Sequence, residues 1–221
     1  MTVAGLLLDL DDTLYAYAPA NEAGRAALFA AIAKDAGVPL ESVSSSFELA
    51  RRSTKARTRG TGASHGRLLY LSELVHAMGR PDLLGRIQAW EALYWETYLD
   101  AAVLDPRAHH VLTVLRRRGV RVCITTNLTL SIQLRKLERL GLLPLIDAVA
   151  TSEEAGADKP DPRIVELGAQ RIGVPLGACV VAGDDIDCDA EVAARLGIPF
   201  IHVTGDVRVL LTVLEGTPGE P

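Results

Sequence analysis

The sequence is poor in cysteine, with only Cys123, Cys179 and Cys188 in 221 residues. None of the three has the CxxC spacing typical of zinc sites and thiol redox motifs. Cys123 and Cys179 lie inside apolar runs typical of buried strands, where cysteine packs as a small hydrophobe. The pattern therefore favours free thiols in a reducing compartment over a disulfide or redox role.

The chain also has no excess of basic charge and no long apolar run. Its net charge of −5 argues against a nucleic-acid partner. No apolar stretch approaches the roughly 20 residues that cross a bilayer. The short N-terminal apolar run has no basic leader and continues into acidic residues, unlike a signal peptide. We therefore expect a cytoplasmic protein without a membrane partner, and we predict a flexible tail at residues 216–221, which are rich in Gly and Pro.

Short apolar runs that alternate with helical patterns organise most of the chain. The runs are predicted strands at residues 3–10, 120–126, 147–151, 178–182 and 199–203. The helical patterns cover residues 106–118, 129–140, 162–172 and 189–196. Such alternation predicts an α/β fold with a doubly wound parallel sheet, whose ligand lies beyond the carboxyl ends of the strands.

One region breaks this alternation. Residues 15–99 contain no convincing strand, and their apolar residues recur at helical spacing in four stretches, at about 21–36, 40–57, 66–78 and 82–98. The sequence therefore predicts a core domain made of residues 1–15 and 100–215, with a four-helix domain inserted at residues 16–99.

A pair of carboxylates follows the first predicted strand. Alternation along a strand places Asp9 and Asp11 on one side, where their charges repel unless a cation or a shared proton intervenes. Mg²⁺ prefers such hard oxygen ligands. One carboxylate could then attack a phosphorus atom while the other moves protons. Taken alone, the cluster is also compatible with a polar loop in which Asp12 and Thr13 cap a helix.

Four segments occur in the order found in one enzyme superfamily. They are LLLDLDDTLY at residues 6–15, CITTN at 123–127, TSEEAGADKPDPRIVE at 151–166 and VVAGDDIDCDAEVAARLG at 180–197. Together they resemble the motifs of the haloacid dehalogenase (HAD) superfamily, in its phosphatase-type members with a helical C1 cap. This resemblance spans about residues 6–203. It implies a Rossmann-like parallel core, an inserted four-helix cap domain, Mg²⁺ as cofactor and an aspartyl-phosphate intermediate.

The resemblance also implies residue roles. Asp9 matches the nucleophile and Asp11 the acid/base, and the further catalytic positions match Thr126 and Lys159. The implied metal ligands are Asp9, the backbone carbonyl of Asp11, and Asp184, supported by Asp189 and Asp185. The implied phosphate-binding residues are Leu10, Thr126, Asn127 and Lys159.

Two positions depart from the family pattern. Many relatives have Gly where this chain has Asp12, although an Asp variant also occurs. Relatives often have Ser where this chain has Asp185, which could support the metal or could equally cap a helix.

The presence of Asp11 reduces the number of reaction classes that the resemblance allows. Dehalogenases and phosphonate hydrolases of the superfamily usually lack this second Asp, so the resemblance favours a phosphomonoester hydrolase acting on a small phosphorylated metabolite. A phosphomutase is the alternative within the superfamily, and a non-catalytic phosphate-binding regulatory module is the alternative outside catalysis. The motifs act on the phosphoryl group alone, so sugar phosphates and nucleotides both remain open as substrates.

The connection between the second and third inserted helices is the predicted specificity segment. Residues 57–67, RTRGTGASHGR, combine glycines with basic side chains. In relatives with this cap type the connection contacts the leaving group, which implies such a role for Arg59, His65 and Arg67. A solvated loop is an equally good interpretation of each residue.

Overall fold

The computed structural model describes residues 3–214, so the predicted tail lies outside the described residues. The chain divides into two compact units. One, the core unit, contains the N-terminal residues to Ala16 and the chain from Val103 onward. The other, the helical unit, is Tyr17–Ala102.

The helical unit contains helices and no strand, and all of its residues are described. Its α-helices are α1 (Tyr17–Ala36), α2 (Leu40–Arg57), α3 (Arg67–Ala77) and α4 (Ile87–Ala101), with 3₁₀ helices at Gly62–His65 and Pro81–Arg86. Its interior is aromatic, because α4 buries Trp90, Tyr94, Trp95 and Tyr98. Aromatic side chains bury large areas, so they supply much of the packing energy of this small unit.

The core unit is built on a parallel sheet. Within residues 3–214 its strands are β1 (Gly5–Leu8), β2 (Arg121–Thr126), β3 (Ala148–Thr151), β4 (Cys179–Gly183) and β5 (Phe200–His202). They pair in the order β3-β2-β1-β4-β5. Every residue of β1 is buried, as expected for a central strand covered on both faces. The predicted α/β fold with a parallel sheet is confirmed.

Helices cover this sheet. They are α5 (Ala108–Arg117), α6 (Leu130–Arg139), α7 (Ser152–Ala155), α8 (Arg163–Ile172) and α9 (Glu191–Leu196). Shorter turns are the 3₁₀ helices Leu143–Leu145, Leu176–Ala178 and Val207–Leu214 and the π-helical turn Ile186–Ala190. No helix in the described part of the chain is both long and apolar enough to cross a membrane.

The strand register determines where the polar side chains meet. Leu8, at the end of β1, pairs with Ile124 on one side and with Ala182 on the other. The chain therefore leaves β1, β2 and β4 at the same edge of the sheet. Because this edge is the carboxyl end of parallel strands, it is where ligands of doubly wound folds bind.

Helix α8 packs closely against the sheet through Gly168. A Cβ atom at this position would lie 2.8 Å from Cγ2 of Thr125 and 3.2 Å from Cδ2 of Leu7, both in buried strands. Glycine in a helix interior costs stability through its backbone entropy, so its presence here indicates that the close approach outweighs that cost.

We predict that Gly168→Ala destabilises the protein. Overpacking against the rigid sheet should exceed the gain in helix propensity, which is about 1 kcal/mol, and lower the free energy of unfolding by about 1–2 kcal/mol. Urea unfolding followed by circular dichroism measures the change. Gly177→Ala is the matched control, since its Cβ would meet no atom within 4 Å. A Gly168→Ala protein as stable as the wild type would contradict the packing argument.

Candidate active site

Three carboxylates of the core unit converge at the carboxyl edge of the sheet. Asp9 follows β1, Asp184 follows the neighbouring β4, and Asp189 lies in the π-helical turn after β4. Each offers an oxygen atom, and these oxygens all lie within 4.8 Å of one another. The Thr13 hydroxyl lies 3.0 Å from Oδ1 of Asp184 and 3.3 Å from Oδ2 of Asp9, so it connects the two strand ends.

A single buried ammonium group holds two of these carboxylates. Nζ of Lys159 lies 2.6 Å from Oδ1 of Asp9 and 2.7 Å from Oδ1 of Asp189, and it donates to the Thr125 carbonyl at 2.9 Å. Burial alone would lower the pKa of Lys159, but the charges of Asp9 and Asp189 outweigh burial, and the pKa lies above its usual value. Lys159 is therefore charged throughout the physiological pH range.

The position of Lys159 is fixed from its backbone as well. Its N–H donates to Oδ1 of Asn127 at 2.9 Å. Asn127 follows β2. The segment at residues 123–127 therefore holds the segment at residues 151–166 in place through this hydrogen bond. This contact gives Asn127 an observed partner on the protein, in addition to its predicted phosphate contact.

Negative charge exceeds positive charge in this cluster. Burial raises the pKa of Asp9 to about 7, although the Lys159 charge opposes the shift. Burial also raises the pKa of Asp184. Three clustered carboxylates thus face one ammonium group, and their oxygens are the hard ligands that Mg²⁺ prefers. The donor set fits a divalent cation of this kind.

Gly183 makes room for Asp189. A Cβ atom on Gly183 would lie 2.0 Å from Oδ2 of Asp189, closer than any real contact. The carboxylate can therefore approach the end of β4 only because this residue has no side chain. Asp189 is 1% exposed, so its charge depends on Lys159 for compensation.

Asp11 lies in a different environment from Asp9. Both of its carboxylate oxygens accept from Nζ of Lys136, at 2.8 and 2.7 Å, and Oδ1 also accepts from the Tyr15 hydroxyl. The Asp11 side chain is 26% exposed, whereas Lys136 is 1% exposed. Lys136 thus holds the Asp11 carboxylate, whereas Lys159 holds Asp9 and Asp189.

The backbone at Asp12 adopts a conformation that favours Gly. Its φ angle is 62°, in the left-handed region that Gly adopts freely. Asp is among the few other residues that tolerate this conformation, because its short polar side chain can hydrogen-bond locally.

The predicted phosphate-binding positions have defined partners. The Thr126 hydroxyl accepts a hydrogen bond from Nε2 of Gln133 at 2.7 Å. The hydroxyl proton of Thr126 therefore points away from Gln133. The Leu10 carbonyl accepts from the backbone N–H of Leu14, so the turn after β1 is closed by a hydrogen bond. Both Thr126 and Leu10 are buried.

Asp185 is exposed and lies outside the three clustered carboxylates of the described chain. Its Oδ1 accepts from the backbone N–H groups of Asp187 at 2.9 Å and Cys188 at 3.1 Å. The side chain therefore caps the π-helical turn, which was one of the two interpretations of this departure from the family pattern.

The predicted specificity residues belong to the helical unit. His65 ends a 3₁₀ helix and Arg67 begins α3, and both line one cavity of this unit. Arg59 is exposed beyond the end of α2 and is not among the residues lining that cavity in the described chain.

Sequence reasoning missed Lys136 and Gln133. Both are polar residues on the buried face of α6, beside Ile132 and Leu137. Polar side chains on the apolar stripe of an amphipathic helix are unusual, and this signal could have identified them. Their partners, Asp11 and Thr126, could not be read from helix periodicity.

A family model described as haloacid dehalogenase-like hydrolase matches residues 3–197. The chain belongs to this family. A curated relative from Halopiger xanaduensis, a ribulose-1,5-bisphosphate 5-phosphatase, is 40% identical over 198 residues, covering 89% of this chain and 82% of the relative. A glyceraldehyde 3-phosphate phosphatase from Methanocaldococcus jannaschii is 31% identical, covering 91% and 85%. The predicted family and the predicted hydrolase class are confirmed.

Solved structures show the same fold at low sequence identity. A HAD phosphatase from Thermococcus onnurineus is similar with a TM-score of 0.76 at 23% identity, covering 96% of this chain and 98% of that one. A 2-haloacid dehalogenase from Pseudomonas syringae is also similar with a TM-score of 0.76, at 21% identity and with the same coverage. Because one neighbour is a phosphatase and the other a dehalogenase, the fold does not select the reaction.

Proposed function

We propose that this HAD-like hydrolase is a Mg²⁺-dependent phosphatase that cleaves the monoester of a small phosphorylated metabolite. The observation that carries the proposal is the separate placement of two carboxylates, with Asp9 beside Lys159 and Asp11 beside Lys136. Two carboxylates in different environments suit two different chemical roles. The phosphatase names of the curated relatives support the same class.

In the proposed first step, the Asp9 carboxylate attacks the substrate phosphorus and the bond from phosphorus to the leaving oxygen breaks. Asp11 enters this step as the protonated acid and gives its proton to that oxygen, so the product leaves as an alcohol. In the second step, Asp11 takes a proton from a water molecule, whose oxygen attacks the phosphorus of the aspartyl phosphate. The bond from phosphorus to Asp9 then breaks, which releases inorganic phosphate and restores the carboxylate.

The groups around Asp9 serve the phosphoryl oxygens. Lys159 supplies a fixed positive charge, and the Thr126 hydroxyl supplies a neutral donor. Asp9, Asp184 and the Asp11 carbonyl would hold Mg²⁺, and Asp189 would act through Lys159. When bound, Mg²⁺ would offset the carboxylate charge and allow an anionic substrate to approach.

The names of the curated relatives support a narrower substrate class. Two of them are named for a five-carbon sugar bisphosphate and a three-carbon sugar phosphate, and this chain covers most of their length. We therefore propose a small sugar phosphate as substrate, in the cytoplasm, where such metabolites occur. Inorganic phosphate release separates a phosphatase from a phosphomutase, which would return the phosphoryl group to a sugar.

Asp9→Asn should abolish inorganic phosphate release from p-nitrophenyl phosphate and glyceraldehyde 3-phosphate, because an amide cannot form the aspartyl phosphate. Malachite green detection of phosphate measures the rate. Glu138→Gln, which changes an exposed carboxylate of α6, should retain full activity. Activity of Asp9→Asn near that of the wild type would overturn the assigned nucleophile.

Turnover should require Mg²⁺ and stop in excess EDTA. Asp184→Ala should raise the Mg²⁺ concentration needed for half-maximal activity at least about tenfold, because it removes a clustered carboxylate ligand. Asp185→Ala should shift that concentration much less, since Asp185 caps a turn instead. Mg²⁺ titrations of both variants provide the comparison, and a larger shift for Asp185→Ala would reverse the metal assignment.

Lys136→Met should lower kcat about tenfold or more and leave KM nearly unchanged, because it releases Asp11 from its held position without touching the phosphoryl site. The loss should be larger for a sugar phosphate than for p-nitrophenyl phosphate, whose leaving group needs little protonation. Arg117→Met, an exposed change in α5, is the control. Equal losses on both substrates would show a structural effect in place of a positioning role.

A further inference from the structure

A glutamine side chain is completely buried on α6. Gln133 is 0% exposed, and it shares the buried face of the helix with Ile132, Lys136 and Leu137. Burying an amide costs free energy unless hydrogen bonds satisfy both its donors and its acceptor. An apolar residue would suit this position in the helix pattern better, so the amide serves a purpose other than packing.

The two ends of this amide are satisfied unequally. Nε2 of Gln133 donates to the Thr126 hydroxyl at 2.7 Å and to the Asn127 carbonyl at 3.4 Å. Oε1 is buried and has no hydrogen-bond partner in the described part of the chain. Buried polar atoms in proteins almost always have a partner. The hydrogen bonds of the NH₂ end are therefore kept although the oxygen end remains uncompensated.

The neighbouring carbonyl determines which end of the amide faces Thr126. The Asn127 carbonyl can only accept, so turning the amide over would bring Oε1 against a second acceptor. The observed orientation of Gln133 avoids this repulsion. Because an amide NH₂ group can only donate, the Thr126 hydroxyl must be the acceptor in their contact.

This contact leaves the hydroxyl proton of Thr126 unused. Within residues 3–214 the Thr126 hydroxyl accepts from Gln133 and donates to no acceptor. A hydroxyl can either accept or donate, whereas the oxygens of a phosphate dianion can only accept. Thr126 can therefore bind a phosphoryl oxygen only as a donor. Gln133 occupies the accepting side of this hydroxyl before a substrate arrives and keeps its donor available.

We propose that Gln133 is a positioning residue for the phosphatase reaction, because it sets the Thr126 hydroxyl to donate to the phosphoryl group. The inference rests on the proposed function, since it requires a phosphoryl group beside Thr126. A donor that is oriented beforehand costs no reorganisation when negative charge develops on the phosphoryl oxygens. Gln133 has no hydrogen bond to Asp9 or Lys159 in the described chain, so its effect passes through Thr126.

Helix α6 makes a second polar contact with the candidate site, which the experiment must separate from this one. Lys136 lies on the same buried face and holds Asp11. A variant that merely shifted α6 would disturb Asp11 as well, and the loss of activity would then depend on how much protonation the leaving group needs. A loss through Thr126 should be equal for all leaving groups, because every substrate has the same phosphoryl group.

Gln133→Met replaces the amide with an apolar side chain of similar length. It should lower kcat/KM about tenfold, by the same factor for p-nitrophenyl phosphate and glyceraldehyde 3-phosphate. The Tm should not fall, because the variant also removes a buried oxygen that has no partner. Gln170→Met makes the same change at an exposed position of α8, and it should alter neither quantity. Gln133→Leu repeats the test if Gln133→Met does not fold.

A double-mutant cycle with Thr126→Val shows whether Gln133 acts through the hydroxyl. Thr126→Val removes the hydroxyl and nearly preserves the shape of the side chain. In this background Gln133→Met should lower kcat/KM less than about twofold further. An undiminished loss in the Thr126→Val background would overturn the proposal. A loss that is larger for glyceraldehyde 3-phosphate than for p-nitrophenyl phosphate would also overturn it and would assign the effect to Lys136 and Asp11.

Phosphate binding separates this proposal from the proposed reaction. In calorimetric titrations with inorganic phosphate in the presence of Mg²⁺, Gln133→Met should bind about tenfold more weakly than the wild type and Gln170→Met. If the wild type cleaves no ester but the variants differ in this way, the assigned reaction is lost and the positioning role is kept. If Gln133→Met equals the wild type in both phosphate affinity and kcat/KM, the positioning role is lost and the reaction is kept. A wild type that neither cleaves esters nor binds phosphate overturns both.

Discussion

The ion pairs of Lys159 with Asp9 and Asp189 are the interaction on which the candidate site depends. Removing a charged group from water costs roughly several kcal/mol per ion, and only a close opposite charge offsets this cost. Asp9 and Asp189 are both buried, and Lys159 supplies the close positive charge for both carboxyl groups. Three segments must therefore meet within hydrogen-bond distance of Nζ of Lys159. They are the end of β1, the turn after β4 and the segment after β3.

Several local features serve this single meeting point. Gly183 leaves the space that the Asp189 carboxylate occupies, and Asn127 holds the backbone of Lys159 from the end of β2. The Thr125 carbonyl accepts the third hydrogen bond from Nζ of Lys159. The sheet places β1 between β2 and β4, and this order brings these residues together. The chemistry of the site therefore depends on the strand order.

The elements of the fold were predictable because their signals are local. Apolar runs gave the strands to within a few residues, and the alternation with helices predicted a parallel sheet. The position of Asp9 at a strand end was also a local signal. The contact of Lys136 with Asp11 spans 125 positions of the chain, so no periodicity could reveal it. The same limit applies to His65 and Arg67, because the cavity that they line depends on how the helices of that unit pack.

The core unit has a local surplus of negative charge at the candidate site. The carboxylates near Lys159 leave excess negative charge, so an anionic substrate can approach them only when a cation offsets that charge. The affinity of the core unit for phosphoryl groups should thus follow the Mg²⁺ concentration.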